Sequence, residues 1–229
     1  MIGFRKNTGE RQYQDSYYHK GKRQLLAKQL EQKGIHSQKV LEAIKMIPRH
    51  YFLDSAFMEL AYDNRAFPIE AAQTISHPYT VAFQTQLLEI LPGDKILEIG
   101  TGSGYQACVL SYMGAKVYSI ERQQVLFDKT SKLLPKIGFR QIRTLFGDGY
   151  EGAPRFAPFD KIIVTAGATE VPKKLLRQLA IGGKMVIPMG CNEEQEMIVY
   201  TRMSQSEFST SNFGMFSFVP FLKGVNKST

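Results

Sequence analysis

Cysteine is scarce in this 229-residue chain: only Cys108 and Cys191 occur, and neither belongs to a CxxC pair. No metal knuckle is indicated, and no metal site is expected. Cys108 sits in an apolar stretch and reads as a small buried hydrophobe. Nothing in the cysteine usage points to an oxidising compartment. Long apolar runs are missing too. No stretch approaches the length that crosses a bilayer, and residues 1–24 lack the apolar segment of a secretory signal. The expectation is a soluble, cytoplasmic protein without membrane partners.

Negative charge is in the minority. Twenty-nine Lys and Arg oppose 21 Asp and Glu, a formal +8. Such a chain attracts anions, among them nucleic acid, acidic membrane surfaces and acidic peptides. Much of the excess is local: Arg5, Lys6, Arg11, Lys20, Lys22, Arg23, Lys28 and Lys33 face only Glu10, Asp15 and Glu31. This segment reads as a solvated basic arm in preference to a nucleic-acid-binding one. The remaining composition, 43% hydrophobic and 22% charged, suits one α/β domain with an N-terminal elaboration.

The organisation expected is a loosely ordered arm over 1–24 and a single domain over 25–229. Within that domain, 25–92 would hold N-terminal helices and a substrate segment, and 93–229 a cofactor-binding core. Leu25, Leu26 and Leu30 predict a first helix ended by Gly34. Ser37 is placed to cap a second, whose Val40, Leu41, Ile44 and Ile47 share one face before Pro48 stops it. Residues 62–77, with Pro68, read as irregular. Pro78 suits the first turn of a helix running to about Leu91, followed by a Pro92-Gly93-Asp94 turn. From Lys95 strands and helices alternate. Strands are expected at Lys95–Ile99, Lys116–Ile120, Ile142–Phe146, Lys161–Thr165 and Lys184–Pro188, with helices over 103–113, 123–137 and 172–180 between them. That alternation predicts βαβ units and a central, mostly parallel sheet flanked by helices. Met197–Thr201 and Phe213–Phe221 complete the sheet in an order left open.

The strongest local signal is Lys95-Ile-Leu-Glu-Ile-Gly-Thr-Gly-Ser-Gly-Tyr105, a strand running into Gly100, Gly102 and Gly104 before a helix. Glycines let the backbone turn sharply and approach a ligand closely, and the helix start beyond offers unpaired N–H groups. A tight turn is the plain alternative. Two further sites weigh against it. The next strand ends at Glu121, 23 residues after Glu98, where an acid can hold ribose hydroxyls. The third strand ends in Gly147-Asp148-Gly149, where a carboxylate can meet an adenine amine; a β-turn aspartate is the alternative there. Three such sites at successive strand ends point to a nucleoside cofactor.

The spacing is GxGxG, not the GxGxxG of nicotinamide enzymes. With Glu98 two positions before the loop, it resembles motif I of the class I S-adenosyl-L-methionine methyltransferases, whose fold is Rossmann-like. The segment Gln73-Thr-Ile-Ser-His-Pro-Tyr-Thr-Val-Ala82 closely resembles the signature of the protein-L-isoaspartate O-methyltransferases. The resemblance continues through Val40-Leu-Glu-Ala-Ile-Lys-Met-Ile-Pro-Arg-His50, Leu97–Gln106, Gly147-Asp-Gly149, Pro158–Ala166 and Phe218-Val-Pro220, covering roughly residues 25–222. Ala72 departs from the usual Gly before QTIS, His77 from Gln or Ala, and Phe221-Leu222 from the usual ending.

The resemblance implies methylation of the α-carboxylate of L-isoaspartyl residues in damaged proteins and peptides. It also implies that the ester closes to a succinimide, which begins repair. Ser76 would be the catalytic residue. The cofactor-binding set would be Thr74, Ile75, Ser76, Val81, Glu98, Gly100, Thr101, Gly102, Ser103, Gly104, Glu121, Arg122, Asp148 and Gly149. Helix capping is the structural alternative for Ser76. Two other functions were weighed. A nucleic-acid methyltransferase of the amino-methylating type would carry Asn/Asp-Pro-Pro-aromatic after the fourth strand, where this chain has Ala166-Gly-Ala-Thr169. A non-catalytic cofactor-binding scaffold would not need Ser76, Glu121 and Asp148 together.

Overall fold

The computed structural model describes residues 14–191 and 193–227. Helix α1 spans Tyr17–Gln32. Ser16 starts it with a capping box: its hydroxyl accepts the His19 N–H while the His19 ring accepts the Ser16 N–H. The arm expected over 1–24 is therefore corrected, since 17–24 are helical; residues 1–13 lie outside the described residues. The physical reason is Arg23, counted as solvated charge yet 3% exposed. Its guanidinium grips both Asp15 oxygens at 2.7 and 2.8 Å, the Lys45 carbonyl at 2.6 Å and the Tyr62 hydroxyl at 3.2 Å. This buried ion pair fixes the start of α1 against α2 (Gln38–Met46), which Ser37 caps as expected.

The 62–77 segment holds a hairpin, β1 (Phe67–Ile69) paired antiparallel with β2 (Gln73–Ile75). Its turn places Ala71 and Ala72 at φ 58° and 53°, where glycine is usual. Alanines in a left-handed turn carry no turn signal, so the hairpin reads as irregular chain. Helix α3 (Pro78–Leu88) follows, three residues shorter than expected because Glu89 closes it in a left-handed conformation at φ 52°.

The main sheet contains β3 (Lys95–Ile99), β4 (Lys116–Glu121), β5 (Arg143–Phe146), β6 (Phe159–Val164), β7 (Leu179–Met189), β8 (Gln195–Arg202) and β9 (Phe208–Phe216) in the order β5-β4-β3-β6-β7-β8-β9. Strands β3 to β7 run parallel; β8 and β9 are antiparallel at one end. The last strand was expected at Phe213–Phe221. It instead ends at Phe216, and the chain from Phe218 turns along the strand ends. Side chains alternate across the sheet. Ile96, Ile163 and Val186 face one core with α4 (Tyr105–Tyr112) and α3. Leu97, Ile99, Ile162 and Val164 face a second core with Leu175 of α6 (Lys173–Gln178). Helix α5 (Gln124–Lys136) links β4 to β5. Burial on both faces explains the near-continuous apolar runs of the inner strands. No described helix is long and apolar enough to cross a membrane.

The chain proceeds from β3 outward through β4 and β5, then returns to the other side of β3 for β6 to β9. The order reverses at β3, so a crevice opens at its carboxyl end, where open α/β sheets bind ligands.

Candidate active site

A cleft of about 840 Å³, counting its open mouth, occupies this switch point. It lies within the range of small-molecule sites. Strand β3 delivers Gly100–Ser103 to its floor, β4 delivers Glu121 and Arg122, and β6 delivers Thr165 and Ala166. Hairpin β1–β2 and α3 supply the facing wall with Thr74, Ile75, Ser76, Val81 and Gln84, and Val219–Leu222 close the third side.

The glycine loop is held rather than slack. Gly100 and Thr101 donate to the Ile120 carbonyl at 2.9 and 3.1 Å, and the Thr130 hydroxyl donates to the Gly102 carbonyl at 2.8 Å. Gly100 adopts φ 94°, and a Cβ there would sit 2.5 Å from the Thr165 hydroxyl. No other residue fits that position.

Glu121 is 4% exposed and faces the cleft. Its two oxygens accept the Gly102 and Gln123 N–H groups, each at 2.8 Å. Burial pushes its carboxyl above the ordinary range, and these N–H donors and Arg122 oppose the push. Each oxygen keeps a lone pair for a ligand hydroxyl.

Three expected contacts do not line the cleft. Glu98 lies fully buried behind the loop. There it accepts from the Ser119 hydroxyl, which in turn bonds Thr101 at 2.6 Å. Burial raises its carboxyl to about 8, so at neutral pH it is mostly uncharged. Glu98 therefore braces Thr101 from behind and offers no anion to a ligand. Gly104, at φ 86°, opens α4. A Cβ there would come 2.8 Å from Thr130, so its role is close helix packing. Asp148 accepts the Tyr150 N–H at 2.9 Å on one oxygen and the Gly224 N–H at 2.7 Å on the other. It anchors the C-terminal segment, whose Phe221 stacks on Tyr150 with ring centroids 4.0 Å apart. The adjoining Gly149 does line the cleft.

Ser76 lines the cleft half-buried. The capping alternative fails, because the N-cap of α3 is His77, and the Ser76 hydroxyl accepts none of that helix's N–H groups. The first turn takes one acceptor from elsewhere, with Tyr79 N–H donating to Asn64 at 2.9 Å. Among the described residues the Ser76 hydroxyl has no hydrogen-bond partner, which leaves it for a ligand. Burial and the nearby Arg49 hold the His77 imidazole below its ordinary range, so it is neutral at pH 7. Reading the sequence missed Gln84, Tyr105, Gln106 and Thr165 on the lining. Thr165, directly after a strand in register with β3, was the one with a usable positional signal.

A parallel sheet with a glycine loop leaving its central strand and a carboxylate at the neighbouring strand end defines a Rossmann-like, class I methyltransferase fold. The sequence profile of the Protein-L-isoaspartate(D-aspartate) O-methyltransferase (PCMT) family matches residues 20–226, and the chain belongs to that family. The protein-L-isoaspartate O-methyltransferase of Christiangramia forsetii is 58% identical over 212 residues, covering 93% of this chain and 99% of the relative. That of Flavobacterium psychrophilum is also 58% identical over 212 residues, with the same coverage. A solved protein-L-isoaspartate O-methyltransferase superposes with a TM-score of 0.79 at 27% identity, over 86% of this chain and 65% of the other. A Plasmodium falciparum structure, described as a putative member in complex with S-adenosyl-L-homocysteine, gives a TM-score of 0.78 at 22% identity. It covers 88% of this chain and 99% of its own and attests the fold.

Proposed function

We propose that this cleft transfers a methyl group from S-adenosyl-L-methionine to the α-carboxylate of L-isoaspartyl residues in damaged proteins and peptides. The observation that carries the reading is the seating of an unbonded Ser76 hydroxyl on the wall opposite the glycine loop and Glu121. The residues present suit the cofactor. Glu121 accepts from ribose hydroxyls, Ile120 and Phe221 offer apolar faces to an adenine, and Gly100–Ser103 let a ligand lie against the backbone. S-adenosyl-L-methionine supplies an electrophilic methyl group when bound.

The chain's own task is placement. A carboxylate with a pKa of about 4 is already ionised at neutral pH, so the acceptor needs no general base. Neutral His77 stands beside the site without a carboxylate partner that would make it one. The Ser76 hydroxyl donates to an anion there and holds its oxygen in line for displacement. The hairpin and Val219–Leu222 wall off the reacting atoms from water. The product ester is a better electrophile than the carboxylate: the neighbouring backbone amide nitrogen attacks its carbonyl, methanol leaves, and the succinimide so formed is opened by water in part to normal aspartate.

The test is methyl transfer to an isoaspartyl peptide, its aspartyl twin and duplex DNA. Incorporation into the first alone is expected; equal incorporation into the aspartyl twin, or transfer to DNA, refutes the assignment.

A further inference from the structure

Two arginines are buried in the N-terminal layer, and they differ in one respect. Arg23 has an aspartate and a full set of acceptors. Arg49, fully buried in the short helical turn Arg49–Phe52, has none but the Arg65 carbonyl at 3.3 Å. Its Nε and Nη1 groups find no partner among the described residues. Among the described residues no carboxylate pairs with it. Burial lowers its pKa only to about 10, so it remains a cation at neutral pH. An unpaired buried cation is costly, and folding alone gives no reason to keep one.

Its surroundings lead to the cleft. The guanidinium lies 5.1 Å from the ring centroid of Tyr105, and Tyr105 lines the cleft. The Tyr105 hydroxyl and the side-chain amide oxygen of Gln106, the next lining residue, are also buried and have no partner among the described residues. On the other side the charge of Arg49 is felt by His77, the residue after Ser76. Arg49 thus sits between Tyr105 of the cleft lining and the Arg65 carbonyl, two residues before the strand that pairs with Ile75 beside Ser76, one aromatic ring from the cavity.

We infer that Arg49 is a positioning residue for the acceptor: a fixed, desolvated counter-charge that draws the substrate carboxylate to Ser76. It acts through the buried Tyr105 ring, where a charge is poorly screened. The inference rests on the reading that the acceptor is a carboxylate. A neutral acceptor would gain nothing from such a charge, and Tyr105 gives the wall rigidity without it.

The test compares wild type with Arg49→Met and Arg49→Lys. Arg49→Met is expected to melt at the same or a higher temperature, since an apolar chain replaces an unpaired ion. Its KM for an isoaspartyl peptide should rise about tenfold, with kcat and S-adenosyl-L-homocysteine affinity changed less than about twofold. Arg49→Lys should recover part of the KM. A binding readout needs no turnover. Acetate, but not acetamide, should shift the His77 imidazole resonances of the wild-type protein saturably, and Arg49→Met should abolish that response. An unchanged KM, or a loss confined to cofactor affinity, overturns the inference. If Arg49→Met fails to fold, wild-type resonances that answer acetate no better than acetamide overturn it. Absence of wild-type turnover on the peptide would instead fail the proposed function, with the acetate response still deciding the role of Arg49.

Discussion

Replacing Glu121 with Gln separates the two jobs assigned to that side chain. In the protein both carboxylate oxygens are acceptors, one for Gly102 N–H and one for Gln123 N–H, each at 2.8 Å. An amide has one acceptor oxygen, and its NH₂ would face the other N–H. One charge-assisted hydrogen bond is lost, worth roughly 1.5–3 kcal/mol, and a buried donor is left unpaired. Relief of the desolvated charge offsets part of this, because burial already pushes the Glu121 carboxyl up. A net loss of about 1.5 kcal/mol corresponds to a fall in Tm of about 3–6 °C for a chain of this size. The ligand term is additional: a ribose hydroxyl bonded to an amide instead of a carboxylate should cost roughly tenfold in affinity. Thermal unfolding and calorimetric titration with S-adenosyl-L-homocysteine read the two terms independently. A lowered Tm with unchanged affinity would make Glu121 a brace for Gly102 and refute its assignment to the cofactor. An unchanged Tm would refute the hydrogen-bond reasoning itself.

Ser76→Ala should cut turnover on an isoaspartyl peptide while leaving cofactor affinity within a few-fold and Tm nearly unchanged, since the hydroxyl bonds nothing among the described residues; normal turnover would leave Ser76 without a role. Glu98 carries a folded-state pKa of about 8 against an ordinary 4.5, so the native state holds the extra proton and stability falls as pH rises between those values. Melting curves across that window should show Glu98→Gln gaining on the wild type, by up to about 1.4 kcal/mol per pH unit, and a constant difference would contradict the buried, protonated acid. Single-turnover methyl transfer should be nearly flat from mildly acidic pH to neutrality and fall only toward the acceptor pKa of about 4. A step lying below the ordinary histidine range that disappears in His77→Gln would give His77 a catalytic part.

Much of the cofactor side was legible because it depends on local rules. Lys95–Ile99 matches its strand end for end, and Gly100, Gly102 and Glu121 stand where a strand-loop-helix unit and its neighbour must put them. The less legible features depend on contacts between distant segments. The start of α1 rests on Arg23 reaching Asp15, Lys45 and Tyr62, so its charge looked like solvated surface. The tie of Asp148 to Gly224 has no local signal, because the two lie 76 residues apart in sequence. Arg49 carried no signal, since an unpaired buried arginine is recognisable only once its lack of partners is seen. Glu98 is expected in the cofactor-binding set from its place beside the loop, and its enclosure beneath that loop is set by the fold around it.

The most direct test is a crystal structure of the protein with S-adenosyl-L-homocysteine and an isoaspartyl peptide together. The expected result has the ribose on Glu121, the sulfur facing the hairpin wall, and the peptide α-carboxylate within hydrogen-bond distance of the Ser76 hydroxyl. A peptide carboxylate bound away from Ser76, or a cofactor seated outside the Gly100–Ser103 cleft, would contradict the site and the reaction assigned to it.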